Sequence, residues 1–310
     1  MSAAPFSTPE EAANKGLLLA YFRERGQEAL AELQREIGAR NPNELAAAIN
    51  TALKNSIRQV AESISRAASS GHWNPEQKLS GLLAATYSGQ VAMLELRNEI
   101  RPYEYMDFSR RVGELWEDFI RLVFDHAPSK LGYFVPPLFS GVRTRLRQEI
   151  NDHINALTLS AAEKAELLAY YDKVWVMVDA GEINLELDLH CVANGERINI
   201  DLKSGFGSNE KGNTNRLLMV ATIYKNLPEP YRNFLLVRTP DDANNNYFRI
   251  LKSSGVWEAF CGSDAYAQVR SLTGFDIAAW IAQNISWKMD LSTSCLEHLQ
   301  RSRLDVYLIW

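Results

Sequence analysis

The sequence predicts an α/β fold with a mixed (α+β) sheet and a helical N-terminal domain. Two observations carry the sheet. Residues 183–192 and 197–203 alternate apolar and polar side chains with period two, the pattern of strands buried on one face. Asn194-Gly195 between them is a strong hairpin signal, because a type I′ turn needs positive φ at both central residues. The third observation is a set of capped, amphipathic helical stretches on both sides of this hairpin.

The N-terminal domain, residues 1–105, reads as helical. Thr8 and Glu11 form a capping-box pattern with Pro9 at the first helical position. Asn43 opens a second helix with Leu45, Ile49, Leu53, Ile57, Val60 and Ile64 on one stripe, ending near Ser69-Ser70-Gly71. A third helix spans 75–97. The stripe suits a core face better than a dimer surface.

The second domain, residues 106–310, opens with an amphipathic helix over 109–126, with Val112, Leu115, Trp116, Phe119, Leu122 and Val123 on one face. Residues around 136–170 read as a helical insertion, in which Ser160 and Glu163 form another capping box. The β-branched and aromatic run 174–178, ending at Asp179-Ala-Gly-Glu182, predicts a first strand and turn. The hairpin supplies the second and third strands. A helix follows over 213–226, with Leu217, Leu218, Ala221 and Tyr224 at helical spacing and Asn213 or Thr214 as N-cap. Pro228 and Pro230 stop it, and 234–237 reads as a buried strand. Farther on, 256–266 and 276–285 look helical, and 305–310 looks strand-like, with Trp and Tyr residues read as packing.

The hairpin register places chemistry. It sets Asp188 opposite Asp201, Glu186 opposite Lys203 and His190 opposite Asn199, all on the polar face. Two facing carboxylates repel, and a divalent cation between them removes that cost; oxygen ligation suits Mg²⁺. The plainer reading is a solvated face with a cross-strand Glu186–Lys203 pair worth little. Against it stand the unshielded Asp pair beside a lysine and the Gly-, Ser- and Asn-rich loop that follows.

Asp188, twelve intervening residues, then Asp201-Leu202-Lys203 resembles the active-site motif of the PD-(D/E)XK nuclease superfamily, the restriction-endonuclease-like fold. Leu187 stands where that motif carries Pro, and Asp201 where the carboxylate is more often Glu. The resemblance covers roughly 113–240 and implies an αβββαβ core, which the element order above follows. It implies that Asp188, Asp201 and the backbone carbonyl of Leu202 hold one or two Mg²⁺ ions, with Lys203 beside the attacking water. It also implies a Glu from the first core helix. Glu114 is the choice here, since Glu117 reads more simply as an i,i+4 surface pair with Arg121. His190 is read as a hydrogen-bonded surface histidine and Glu186 as a supporting residue.

The implied activity is Mg²⁺-dependent hydrolysis of double-stranded DNA by a type II restriction endonuclease acting as a homodimer. A repair or recombination nuclease is the alternative enzyme, and a non-catalytic DNA- or protein-binding module is the alternative of another class. Ser208, Asn209, Lys211, Asn213, Asn215 and Arg216 are the candidate DNA contacts, with the loop 241–249 and its Asn244-Asn-Asn246 run as a second set.

Composition sets the frame without selecting nucleic acid. With 310 residues and 46% hydrophobic content the chain can bury a large core. A net charge of −5 argues against an indiscriminate polyanion binder, although Lys203, Lys211, Arg216, Lys225, Arg232, Arg238 and Arg249 gather around the motif. Three widely spaced cysteines predict reduced thiols and a cytoplasmic protein. No stretch reaches the length of a membrane span, and residues 1–21 lack the basic start of a signal peptide.

Overall fold

The computed structural model describes residues 6–37, 41–178, 182–207 and 211–310. Its N-terminal part is helical, as the caps require. Thr8 accepts the Glu11 N–H at 3.2 Å to start α1 (Pro9–Ala13), and the Glu11 carboxylate accepts the Thr8 N–H in return. Then come α2 (Lys15–Ile37), α3 (Pro42–Ser70) and α4 (Pro75–Ile100). The apolar stripe of α3 faces inward, so it is core. The middle of α4 is buried around its whole circumference. A Cβ on Gly89 would lie 2.2 Å from Ile57, so only glycine lets α3 and α4 approach this closely.

After α5 (Tyr105–Asp125) come β1 (Gly132–Tyr133), α6 (Phe139–Ala156) and α7 (Ala161–Val178). The Ser160–Glu163 box caps α7 as expected. The strand predicted over 174–178 is overturned, because these residues continue α7. A capped helix already under way extends through a short β-branched run more readily than an isolated strand forms, since local propensity is the weaker term. Strand β1, ahead of the helical insertion, takes its place in the sheet. Residues 179–181 of the predicted turn lie outside the described residues.

The hairpin forms in the expected register. β2 (Leu189–Ala193) pairs antiparallel with β3 (Glu196–Lys203), with Leu189 opposite Ile200 and His190 opposite Asn199. Asn194 and Gly195 have φ of 53° and 83°, the type I′ turn. The ladder is shorter than the alternation suggested: 183–187 has no regular structure, and Leu185 and Leu187 are buried without strand pairing. Helix α8 (Lys211–Lys225) leads to β4 (Tyr231–Val237), and α9 (Asn246–Ser253) leads to β5 (Glu258–Cys261). The sheet runs β1-β2-β3-β4-β5, antiparallel as far as β3 and parallel beyond it.

Two C-terminal expectations are corrected. Residues 258–261 form the edge strand β5, not a helix, because β4 offers a free parallel edge that no local signal records. The helix begins afterwards, as α10 (Ser263–Thr273), followed by α11 (Ile277–Asn284), α12 (Trp287–Asp290) and α13 (Thr293–Arg301). The apolar end is not a strand: Asp305–Tyr307 is a 3₁₀ turn, and Trp310 packs against Tyr87, Phe119 and Trp287. Its side chains, not its backbone, find the partners.

Both sheet faces are covered. Ile198, Ile200, Leu202, Phe234 and Leu236 join one core with the N-terminal helices, α5 and the C-terminal helices. Leu235 and Val237 join a second core with Leu185, Leu187 and α8. The polar face of the hairpin is therefore buried under α8 instead of solvated, as a parallel crossover dictates. Among the described residues no helix is long and apolar enough to cross a membrane.

Candidate active site

The motif residues gather at the C-terminal end of β3. Asp201 is 3% exposed and ion-paired with the Lys203 ammonium. Lys203 also donates to the Leu202 carbonyl at 3.1 Å and lies 4.0 Å from Asp188. Asp188 stands just before β2, where it accepts the Leu202 N–H at 2.7 Å on one oxygen and Arg121 at 3.1 Å on the other. Asp188 and Asp201 therefore meet around Lys203, although the ladder stops one pair short of them.

Helix α5 presents a straight line of residues to this cluster. Gly113, Glu117 and Arg121 recur four apart, so they share one face. A Cβ on Gly113 would lie 2.6 Å from the Ser204 hydroxyl, which marks how closely α5 approaches the end of β3. One turn on, Glu117 sits in the field of Lys203, Asp188 and Asp201, and burial pushes its carboxyl up to about 7. One turn further, Arg121 reaches Asp188. Glu114 points elsewhere: it pairs with Arg111 at 2.8 Å and Arg110 at 3.7 Å, on the wall of the adjoining cleft. The first-helix carboxylate facing the cluster is thus Glu117. The signal that would have found it is Gly113, since the smallest residue on a helix marks the face of closest approach.

Burial raises the Asp201 pKa, reinforced by Asp188 and opposed by Lys203. Burial works against the Lys203 charge, but Asp201, Asp188 and Glu117 outweigh it and leave the ammonium with a raised pKa. The Asp201 Oδ1 atom is buried, and the Lys203 ammonium is the group in contact with it. Among the described residues no three His, Cys, Asp or Glu side chains form a ready-made metal cage.

The cluster borders a cleft of about 1070 Å³. Glu117 and Glu114 line one wall, the loop after β3 another, and the tail residues Tyr307 and Ile309 a third. Arg238 straps this tail, donating to the carbonyls of Ile309 at 2.8 Å and Tyr307 at 3.2 Å.

Other sequence candidates serve the scaffold. His190 is buried, not at the surface: Nε2 accepts the Leu187 N–H at 3.0 Å, so Nδ1 carries the proton toward Asn199 Oδ1 at 2.8 Å. Asn199 continues to Asn233 at 2.8 Å, and Asn233 to the Val256 carbonyl. Arg216 donates to the Glu186 carbonyl at 2.8 Å and fixes the segment ahead of β2. Asn244 is buried, where it accepts the Phe206 N–H, Asn245 is half-buried and caps α9, and Asn246 is exposed. Lys211 and Asn215 are exposed on the first turns of α8 and Asn213 is half-buried. Ser208 and Asn209 lie outside the described residues. The three cysteines are unbridged.

No family model, curated protein or solved structure matches the chain.

Proposed function

We propose that the chain is a Mg²⁺-dependent DNA endonuclease of the PD-(D/E)XK type. In this reading it cleaves double-stranded DNA as a homodimer, in the manner of a type II restriction enzyme. The observation that carries it is one ammonium, Lys203, set among Asp188, Asp201 and Glu117 at the edge of a large cleft. With α6 and α7 taken as an insertion between β1 and β2, the order α5-β1-β2-β3-α8-β4 follows the αβββαβ core that the motif implies.

The donor set fits Mg²⁺. Asp188, Asp201 and the Leu202 carbonyl offer hard oxygens, and Lys203 already places one positive charge against the Asp201 and Asp188 carboxylates. The repulsion among the carboxylates is the cost that a cation removes. When bound, the ion supplies a more acidic water and stabilises charge on the phosphate oxygens.

The chain's own groups divide the remaining work. Lys203 holds its proton, so it donates to a non-bridging phosphate oxygen and does not act as a base. Arg121 and the Leu202 N–H fix the Asp188 carboxylate. Glu117, raised to about 7, exchanges a proton readily near neutral pH, where proton transfer is most effective.

The test is digestion of long, unmodified phage DNA with Mg²⁺, beside EDTA and the Asp201→Ala protein. Discrete bands lost in both controls are expected. A folded protein that cuts none of several DNAs with any of several metals overturns the reading in favour of a binding module.

A further inference from the structure

A second pocket lies on the other side of the α5 N-terminus. It encloses about 230 Å³ between α3, α4 and α5, and four arginines line it: Arg97, Arg101, Arg110 and Arg111. Asp107 and Glu114 are the carboxylates paired with them, through Arg97 at 3.4 Å, Arg101 at 3.9 Å, Arg110 at 3.7 Å and Arg111 at 2.8 Å. Positive charge exceeds negative charge here in a protein whose net charge is −5.

The interior of the pocket is polar and under-satisfied. Tyr103 is 3% exposed, its ring lies 4.7 Å from the Arg97 guanidinium, and its hydroxyl makes no hydrogen bond of normal geometry. Burial disfavours the Arg97 charge, and Arg101 and Arg111 add to that, against Tyr103 and Asp107. Among the described residues, four guanidiniums share only two carboxylates, with Asp107 no nearer than 3.4 Å to Arg97 and 3.9 Å to Arg101, around a hydroxyl donor without an acceptor. That leaves a place for a further acceptor with several oxygens and a negative charge. Phosphate meets that need.

We propose that this pocket binds a phosphate group of a DNA strand. Asp107 and Arg110 line both this pocket and the large cleft, so a strand with its scissile phosphate at Lys203 can place another phosphate here. The identification of the strand as DNA rests on the nuclease reading; the phosphate chemistry does not.

The test is binding in EDTA, where no cleavage occurs. Fluorescence anisotropy is recorded with labelled duplexes bearing a 5′-phosphate or a 5′-hydroxyl, over a salt titration, with inorganic phosphate as competitor. Arg111→Gln and Tyr103→Phe are compared with wild type and with Arg35→Gln, a charge removed from exposed α2. Both pocket variants are expected to weaken binding about tenfold, and Arg111→Gln to lower the salt slope by about 1. Tyr103→Phe keeps the ring and Arg111→Gln acts independently, so misfolding of one leaves the other as the test. A preference for the 5′-phosphate that is lost in the variants assigns a terminal phosphate; equal loss for both duplexes assigns an internal phosphodiester. Affinity and salt slope unchanged in the folded variants overturn the proposal. Cleavage that persists in that case leaves the nuclease reading intact. Pocket-dependent binding without any cleavage sinks the nuclease reading alone.

Discussion

The Asp188 carboxylate accepts the Leu202 backbone N–H at 2.7 Å, which pins a residue outside the β-ladder to the middle of the motif. This bond gives Asp188 a structural role separable from its charge. Asn at 188 keeps the acceptor and loses the charge. Asp188→Asn is expected to keep its melting temperature while cleavage falls about 100-fold or more. Full cleavage by the folded variant removes Asp188 from the site.

The two first-helix glutamates differ in what they face. Glu117→Gln is expected to reduce kcat by about 100-fold, because it removes a carboxylate beside Lys203. Glu114→Gln, paired with Arg110 and Arg111, is expected to change it less than tenfold. Single-turnover cleavage by both variants decides between them, and the reverse order restores Glu114.

Glu117 also makes stability depend on pH. Its folded pKa is raised from 4.5 to about 7, so the native state keeps a proton that the unfolded chain has released in that interval. Its contribution therefore falls as pH rises from about 4.5 to 7 and is level above. In EDTA, Glu117→Gln should gain stability over wild type by on the order of 1–2 kcal/mol between pH 5 and pH 8, after discounting partial exposure. Urea titrations at the two pH values measure it; a constant difference contradicts the assignment.

His190 anchors the segment that carries Asp188. His190→Ala strands the Leu187 N–H and the Asn199 amide in the core, so a loss of about 2–4 kcal/mol is expected. Cleavage should fall further than stability accounts for, since Asp188 then loses its fixed approach. Normal cleavage below the melting temperature argues that the segment holds without it.

Asp290 joins the two ends of the chain. Its buried carboxylate accepts Lys15 at 2.9 Å, the Tyr87 hydroxyl at 2.8 Å and the Ser286 N–H at 3.1 Å. Asp290→Ala is expected to cost about 2–3 kcal/mol by leaving the buried Tyr87 hydroxyl and the Ser286 N–H unpaired, while Lys15 keeps its bond to the Asn284 carbonyl. Chemical denaturation checks this, and a loss below 1 kcal/mol would mean that water replaces the carboxylate.

What the sequence determined by itself was local. Asn194-Gly195 admits one turn type, so the register of β2 and β3 was legible, and with it the meeting of Asp188, Asp201 and Lys203. The caps at Thr8 and Ser160 were legible because each satisfies backbone donors within one turn. Tertiary structure decided everything that depended on a distant partner. It drew 174–178 into α7, made 258–261 a strand beside β4, and buried the polar hairpin face under α8. It turned Glu117 toward Lys203, and it brought Arg97 and Arg111 together around Tyr103. Turns and caps are closed by neighbours in the chain, whereas burial, edge pairing and charge clusters are set by residues that only folding brings near.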